Sequence, residues 1–93
     1  MDYTDFCDKA LNILMAHDKK NHSDLYNTLF IYLKNNQNNQ KASEELFIHR
    51  NTMRYRMSKI LELTHIDFSN IENILKIYMS YKIINYLDKA RIR

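Results

Sequence analysis

Four cations and no acid lie between Leu46 and Leu61, and this stretch carries the most distinctive chemistry of the sequence. The cations are Arg50, Arg54, Arg56 and Lys59. Positive groups at this density attract a polyanion, and a planar guanidinium also binds two acceptor atoms of a guanine base at once. The pattern indicates nucleic-acid binding, with a merely solvated basic helix face as the alternative.

The side chains that can make such contacts follow from a helical wheel of 100° per residue. Asn51, Arg54, Tyr55 and Ser58 project away from the apolar side of a helix over this stretch, and Arg50 lies at its N-terminal end. Such positions suit side chains that enter a major groove, where Arg reads guanine and Asn reads adenine.

Several of these side chains have a second interpretation. Asn51 can cap the helix, Thr52 can either bind phosphate or close a local backbone hydrogen bond, and Arg54 suits phosphate more than a base. Tyr55 can have either a structural role or a DNA contact, and His49 can cap the helix or reach DNA. Arg56 falls beside the apolar stripe, so pairing with an acid such as Glu44 or Glu62 is at least as good an interpretation as DNA contact.

Two short helices with a tight break between them must position these groups. Asn38 is a suitable N-cap, which predicts a helix from about Asn39 whose buried stripe is Ala42 and Leu46. The break falls at residues 47–49. The apolar period then restarts and predicts a second helix from about Arg50 to Leu63, with a buried stripe of Met53, Met57, Ile60 and Leu61.

The rest of the chain predicts three more helices. The first runs from about Tyr3 to Met15 and ends at the polar run HDKKNHS. The second is capped by Ser23 or Asp24 and continues to about Lys34. The last, preceded by Asp67 and Ser69, spans about residues 70–89.

Composition favours an all-α fold, a compact bundle of about five helices. The 93 residues include no Gly and no Pro, and 45% are hydrophobic, so one small core and a single domain over residues 1–93 are expected. Phosphate-binding loops and dinucleotide-binding fingerprints need glycine, so the lack of glycine in this sequence excludes both motifs. The net charge of +3 is only mildly basic, so the local cluster carries the argument.

No catalytic or metal-binding pattern is present. Cys7, His17 and His22 lack metal-ligand spacing, and the adjacent Ser23 and Asp24 do not make a catalytic triad. We therefore expect no enzyme activity, no cofactor and no metal. A single cysteine, expected to be a small buried residue, and the lack of a long apolar segment suit a cytoplasmic protein outside the membrane.

The last predicted helix has a wider apolar arc than one small core needs. Either the other helices wrap around it, or part of its surface is the seam of a homodimer, as in helix-turn-helix proteins that read two half-sites. The alternative function for the whole chain uses the same helix: a protein-interaction or dimerisation module that does not bind DNA.

The words DLYNTLFIYLKNN at residues 24–36 and ASEELFIHRNTMRYRMSKILELT at residues 42–64 are the most specific in the chain. In them the sequence resembles the C-terminal helix-turn-helix domain of the purine catabolism and carbohydrate diacid regulators, a family of bacterial transcription factors. The resemblance covers about residues 14–87. It implies a module that binds double-stranded DNA and forms the C-terminal part of a longer regulator.

The HRNTMRYR block also resembles, more distantly, the helix-turn-helix of the factor for inversion stimulation. That similarity implies base contacts for His49 and Arg50 and phosphate contacts for Thr52, Arg54 and Tyr55. Two positions depart from common helix-turn-helix patterns. Phe47 stands where many turns have Gly, which is tolerable if φ is not strongly positive or if the ring is buried, and His65 stands where the family commonly has Gly after the second helix.

Overall fold

The structure is a computed structural model that describes the backbone of residues 3–92 and the side chains of residues 9–89. That part of the chain contains no strand and folds into five helices: α1 (Tyr3–Asn21), α2 (Leu25–Lys34), α3 (Asn39–Leu46), α4 (Arg50–Thr64) and α5 (Ile71–Ile92). The predicted all-α class is confirmed. The expectation that Cys7 is buried lies outside the described side chains.

The first helix is six residues longer than predicted, because it ends at Asn21 and not at Met15. The polar run does not break it, since Lys and other charged residues are compatible with a helix whose outer face meets water. Its last two turns carry Asp18 to the start of α2, which gives the extra length a structural role.

Asp18 caps α2 from outside that helix. Its two carboxylate oxygens accept hydrogen bonds from the backbone N–H groups of Leu25 and Tyr26, both at 2.8 Å. These are donors that the first turn of a helix leaves unpaired. Asp24, one of the two predicted candidates, occupies the N-cap position, but its side chain makes no capping hydrogen bond.

Two clusters of buried apolar side chains hold the helices together. The larger joins α1, α2, α4 and α5, and its members are Ala10, Leu11, Leu14, Leu25, Leu29, Leu33, Ile60, Ile66, Ile74, Ile77 and Tyr81. The smaller cluster is Ile31, Ala42 and Met53, one residue from each of α2, α3 and α4. The pair α3–α4 is thereby fixed onto α2.

The last helix begins within one residue of the predicted start. Asn70 caps it, its Oδ1 accepting from the backbone N–H of Asn73 at 3.2 Å, and Asp67 Oδ1 accepts from the backbone N–H of Ser69 at 3.0 Å in the turn before it. In the described part of the chain α5 packs on α1 and α2, and its backbone does not approach that of α3 or α4.

The wide apolar arc of α5 is not wrapped by the other helices. Its inner side enters the larger core, while six large apolar side chains remain 54 to 71% exposed: Ile71, Leu75, Met79, Ile83, Tyr86 and Leu87. Of the two interpretations of this arc, wrapping is therefore wrong for the single chain.

Candidate nucleic-acid interface

Helix α3 begins as the sequence predicts. Asn38 Oδ1 accepts a hydrogen bond from the backbone N–H of Lys41 at 2.9 Å, which is the predicted N-cap. Ala42 is fully buried against α2 and α4. The buried hydroxyl of Ser43 donates to the carbonyl of Gln40 at 2.8 Å, so serine at this position leaves no unpaired polar group.

The turn between α3 and α4 is made by Phe47 in the left-handed region, with φ 57° and ψ 43°. The N–H of Ile48 then reaches back to the carbonyl of Ser43 at 3.0 Å and closes the helix end. The ring of Phe47 is 94% exposed. Neither condition under which phenylalanine is tolerated here is met. The φ angle is positive, and no burial of the ring offsets the energetic cost of the left-handed backbone.

Helix α4 lies on the core along one side only. Met53 and Ile60 are fully buried and Met57 is partly buried, as predicted. Leu61, predicted in the same stripe, is 49% exposed, so that assignment is wrong. The helix period places Leu61 about 100° from Ile60, and no neighbouring helix covers that side.

His49 is the N-cap of α4. Its Nδ1 accepts a hydrogen bond from the backbone N–H of Asn51 at 3.0 Å, which means that the neutral ring carries its hydrogen on Nε2. The Nε2–H group does not donate a hydrogen bond to another described residue, so it is available to a ligand. Asn51 is therefore not the cap, and its side-chain amide is exposed and unpaired among the described residues.

The four cations of α4 divide into two pairs. Arg50 and Arg54 are exposed and make no hydrogen bond or ion pair with any described residue. Arg56 and Lys59 each have a protein partner. Because an unpaired guanidinium keeps all its donors for a ligand, the binding capacity of this helix is concentrated at Arg50 and Arg54.

Arg56 has the structural role that its place on the wheel suggested, although neither Glu44 nor Glu62 is its partner. Its Nη1 donates to Thr28 Oγ1, in the first turn of α2, at 3.0 Å and lies 3.5 Å from Oδ2 of Asp24, the N-cap residue of that helix. The buried hydroxyl of Thr28 donates in turn to the carbonyl of Asp24 at 2.5 Å. This relay fixes the middle of α4 to the start of α2.

Lys59 is held by Glu62, which lies 2.8 Å away one turn further along α4. The hydrogen bond raises the pKa of Lys59 and lowers the pKa of Glu62, so both remain charged and directed at each other near neutral pH. Lys59 therefore contributes less to the open cationic surface than its position suggests.

The remaining candidate contacts, Thr52 and Tyr55, are both exposed on the side of α4 away from the core. The hydroxyl of Thr52 does not close a local backbone bond, and neither hydroxyl is bonded to another described residue. Together with Arg50, Asn51 and Arg54 they form one continuous polar surface beginning at the helix N-terminus, which we call the α4 polar face.

Helix α4 ends at Thr64, and its C-cap is His65, which adopts the left-handed conformation with φ 56° and donates its N–H to the carbonyl of Leu61 at 2.9 Å. Histidine thus makes the C-cap that glycine commonly makes.

In the described residues no group of His, Cys, Asp and Glu is arranged to hold a metal ion, and no described helix has the length and apolar character of a membrane span.

Sequence reasoning missed Asp18 and Thr28, which support α2 and α4. Their partners lie 7 and 28 residues away in the chain, and no local pattern identifies such pairs.

Comparison with known proteins gives one family. The model of the PucR C-terminal helix-turn-helix domain matches residues 25–83. The chain is 38% identical over 78 residues to the proline-responsive transcriptional activator PutR of Bacillus subtilis, 37% identical over 71 residues to the carbohydrate diacid regulator of Escherichia coli, and 31% identical over 74 residues to the DNA-binding transcriptional activator AdeR of Bacillus subtilis. No solved structure matches the chain significantly.

These similarities cover most of this chain and little of each relative. The matched segments are 84%, 76% and 80% of this chain, but only 19%, 17% and 18% of the respective relatives. The chain therefore spans less than a fifth of the length of the curated relatives it matches.

Proposed function

Because the chain belongs to the family of PucR C-terminal helix-turn-helix domains, we propose that it binds double-stranded DNA sequence-specifically, with α4 as the recognition helix in the major groove. The observation that carries this proposal is the α4 polar face, on which Arg50 and Arg54 are exposed and unpaired. Met53 beneath it is fully buried, so the helix presents that face in one fixed orientation.

The N-terminal part of the face reads bases in this proposal. Arg50 binds guanine O6 and N7 through its planar guanidinium, and Asn51 pairs with adenine through its amide. His49 donates from Nε2 to a base edge while its Nδ1 continues to cap the helix.

The next turn binds the backbone. Arg54 neutralises a phosphate, and the free hydroxyls of Thr52 and Tyr55 donate to phosphate oxygens. These contacts fix the register in which the base readers meet the groove.

The wider context is also proposed from the family. The relatives are several times longer than this chain and two are named transcriptional activators, so we infer that the chain forms the C-terminal DNA-binding part of a cytoplasmic transcriptional regulator. We further infer a homodimer through α5, whose exposed apolar side chains lie on a helix whose backbone does not approach that of α3 or α4.

The test compares two duplexes, one selected by the protein from random sequence and one scrambled. Arg50→Ala should weaken binding to the selected duplex by roughly 5- to 150-fold and scarcely affect the scrambled one, because one bidentate base contact is lost. Arg54→Ala should weaken both alike and reduce the slope of log affinity against log salt by about one.

Lys59→Ala is the matched control on the same helix. Its ammonium is already paired with Glu62, so affinity for either duplex should change less than for the two arginine variants. Equal losses on both duplexes for Arg50→Ala would remove Arg50 from base reading, and an unselective wild-type protein would refute sequence-specific binding.

A further inference from the structure

Five of the exposed apolar side chains of α5 are spaced four residues apart. They are Ile71, Leu75, Met79, Ile83 and Leu87, and we call them the α5 row. Residues four apart form a continuous ridge on a helix surface, inclined to the helix axis. The row is therefore a ridge and not the narrower seam, with spacings of three and four, of a coiled coil.

The exposed surface is too large to be ordinary. Side chains of this type have about 200 Å² each, so the row and Tyr86, exposed by 54 to 71%, present on the order of 700 Å². The largest apolar patch of a typical monomer is about 300–600 Å², and one side of a standard protein interface is about 800 Å². One partner helix that crosses the row covers its central part.

A trough lies beside the first half of the row. It is a groove of about 470 Å³, to which α5 contributes Ile71 and Leu75 of the row together with Ile74 and Tyr78. The end of α2 and the loop after it contribute Leu33, Lys34, Asn36 and Gln37. The helix thus carries both an apolar ridge and an open trough beside it.

We propose that the occupant of this surface is α5 of a second copy, and that the two helices cross near Met79, each row lying in the trough of the other. Ridges of this kind interdigitate at about −50° between helix axes. A two-fold interface must be complementary to itself, and a ridge and a trough side by side on one helix meet that condition. This inference rests on the homodimer proposed above and specifies its contact.

The arrangement leaves DNA binding free. Helix α5 packs on α1 and α2, and in the described part of the chain its backbone does not approach that of α3 or α4. Two copies joined through α5 therefore keep both α4 polar faces uncovered.

Sedimentation equilibrium of the 93-residue chain without DNA tests the occupant. A monomer–dimer equilibrium is expected, and Met79→Glu, which brings two carboxylates together at the crossing, should raise the dimer dissociation constant at least about 100-fold. Leu61→Glu makes the same apolar-to-acidic change at an exposed leucine on α4 and should leave the dimer dissociation constant unchanged. A wild-type protein that stays monomeric at high concentration would overturn the proposal.

Disulfide trapping tests the crossing, in a background where Cys7 is replaced by Ser. Met79→Cys should give a cross-linked dimer, because only residues at the crossing approach within disulfide range. The double variant Ile71→Cys/Leu87→Cys should not, although it would cross-link if the helices ran side by side in either direction. A cross-link there, or none at Met79→Cys, would overturn the crossed geometry.

The two proposals fail separately. Met79→Glu should still bind a duplex carrying one half-site with wild-type monomer affinity, because the α4 polar face is unchanged. Loss of self-association with half-site binding intact supports the α5 contact, whereas a dimeric protein without DNA affinity would refute only the DNA-binding proposal.

Discussion

Helices α4 and α5 each leave one face without a partner inside the chain, but the two faces differ in chemistry. The exposed side of α4 carries guanidinium, amide and hydroxyl groups, and that of α5 carries a row of Ile, Leu and Met side chains. Polar donors on a rigid helix suit a hydrated, charged ligand, whereas a large apolar row suits a protein surface. Exposure of a helix face therefore does not by itself identify a partner, whereas the chemical type of the exposed groups does.

Two methionines, Met53 in the first turn of α4 and Met79 near the middle of α5, give the largest expected contrast. Met53 is fully buried and Met79 is 59% exposed. Met53→Ala should lower the free energy of unfolding by about 2–5 kcal/mol through lost burial and a cavity. Met79→Ala should change it by less than about 0.5 kcal/mol. Urea denaturation at a concentration where the chain is monomeric measures both, and equal losses would mean that the outer side of α5 is packed.

Arg56 gives the next largest effect, because it supports the orientation of α4 without belonging to its polar face. Arg56→Met should cost about 1–2 kcal/mol of unfolding free energy, since the hydrogen bond to Thr28 is lost while the stem can still pack. Lys59→Met, which breaks an exposed pair within one helix, is the matched control and should cost less. Thermal unfolding of both variants decides, and a larger loss for Lys59→Met would contradict the relay.

Phe47 tests whether strain in the turn is offset by anything in the fold. Phe47→Gly should stabilise the chain by up to about 1 kcal/mol, because it removes a left-handed backbone penalty and no buried ring, less the extra freedom of glycine in the unfolded chain. Denaturant midpoints measure the change. A clear loss of stability would show that the ring makes a contact in solution that compensates for its backbone.

The smallest effect concerns pH and the turn before α5. Hydrogen bonds from the side chain and backbone of Ser69 hold the pKa of Asp67 below its ordinary value. A carboxyl whose pKa is depressed in the folded state contributes stability above its unfolded pKa of about 3.9 and loses it as pH falls through the lower folded value. The stability difference between wild type and Asp67→Asn, measured from pH 6 to below pH 3, should therefore shrink on acidification.

Local signals were sufficient for α3 and α4. The N-cap at Asn38, the apolar period through Met53 and Ile60, and the break at residues 47–49 all act within a few residues, so the sequence predicts both helices and their order. The end of α1 was mispredicted for the opposite reason. Asp18 stabilises the fold only because α2 folds back beside it and is capped by its carboxylate. The polar residues around Asp18 contain no local pattern that predicts this contact.

The α4 polar face was predictable as a set of residues but not as a set of free groups. The wheel places Arg50 and Arg54 outward, yet only the tertiary contacts distinguish these unpaired arginines from Arg56, whose partners are about 30 residues away. The burial of Leu61 was wrongly expected for the same reason, since a stripe on a wheel does not state how wide the neighbouring helix is.

The sequence by itself determined that the chain is helical, where the helix-turn-helix lies, and that its second helix is cationic, because capping, periodicity and charge are properties of nearby residues. Only the tertiary structure decided which charges are free, that Phe47 is exposed in a left-handed turn, and that one side of α5 is left uncovered. Those outcomes depend on which surfaces meet when the helices pack, and packing joins residues that are distant in the chain.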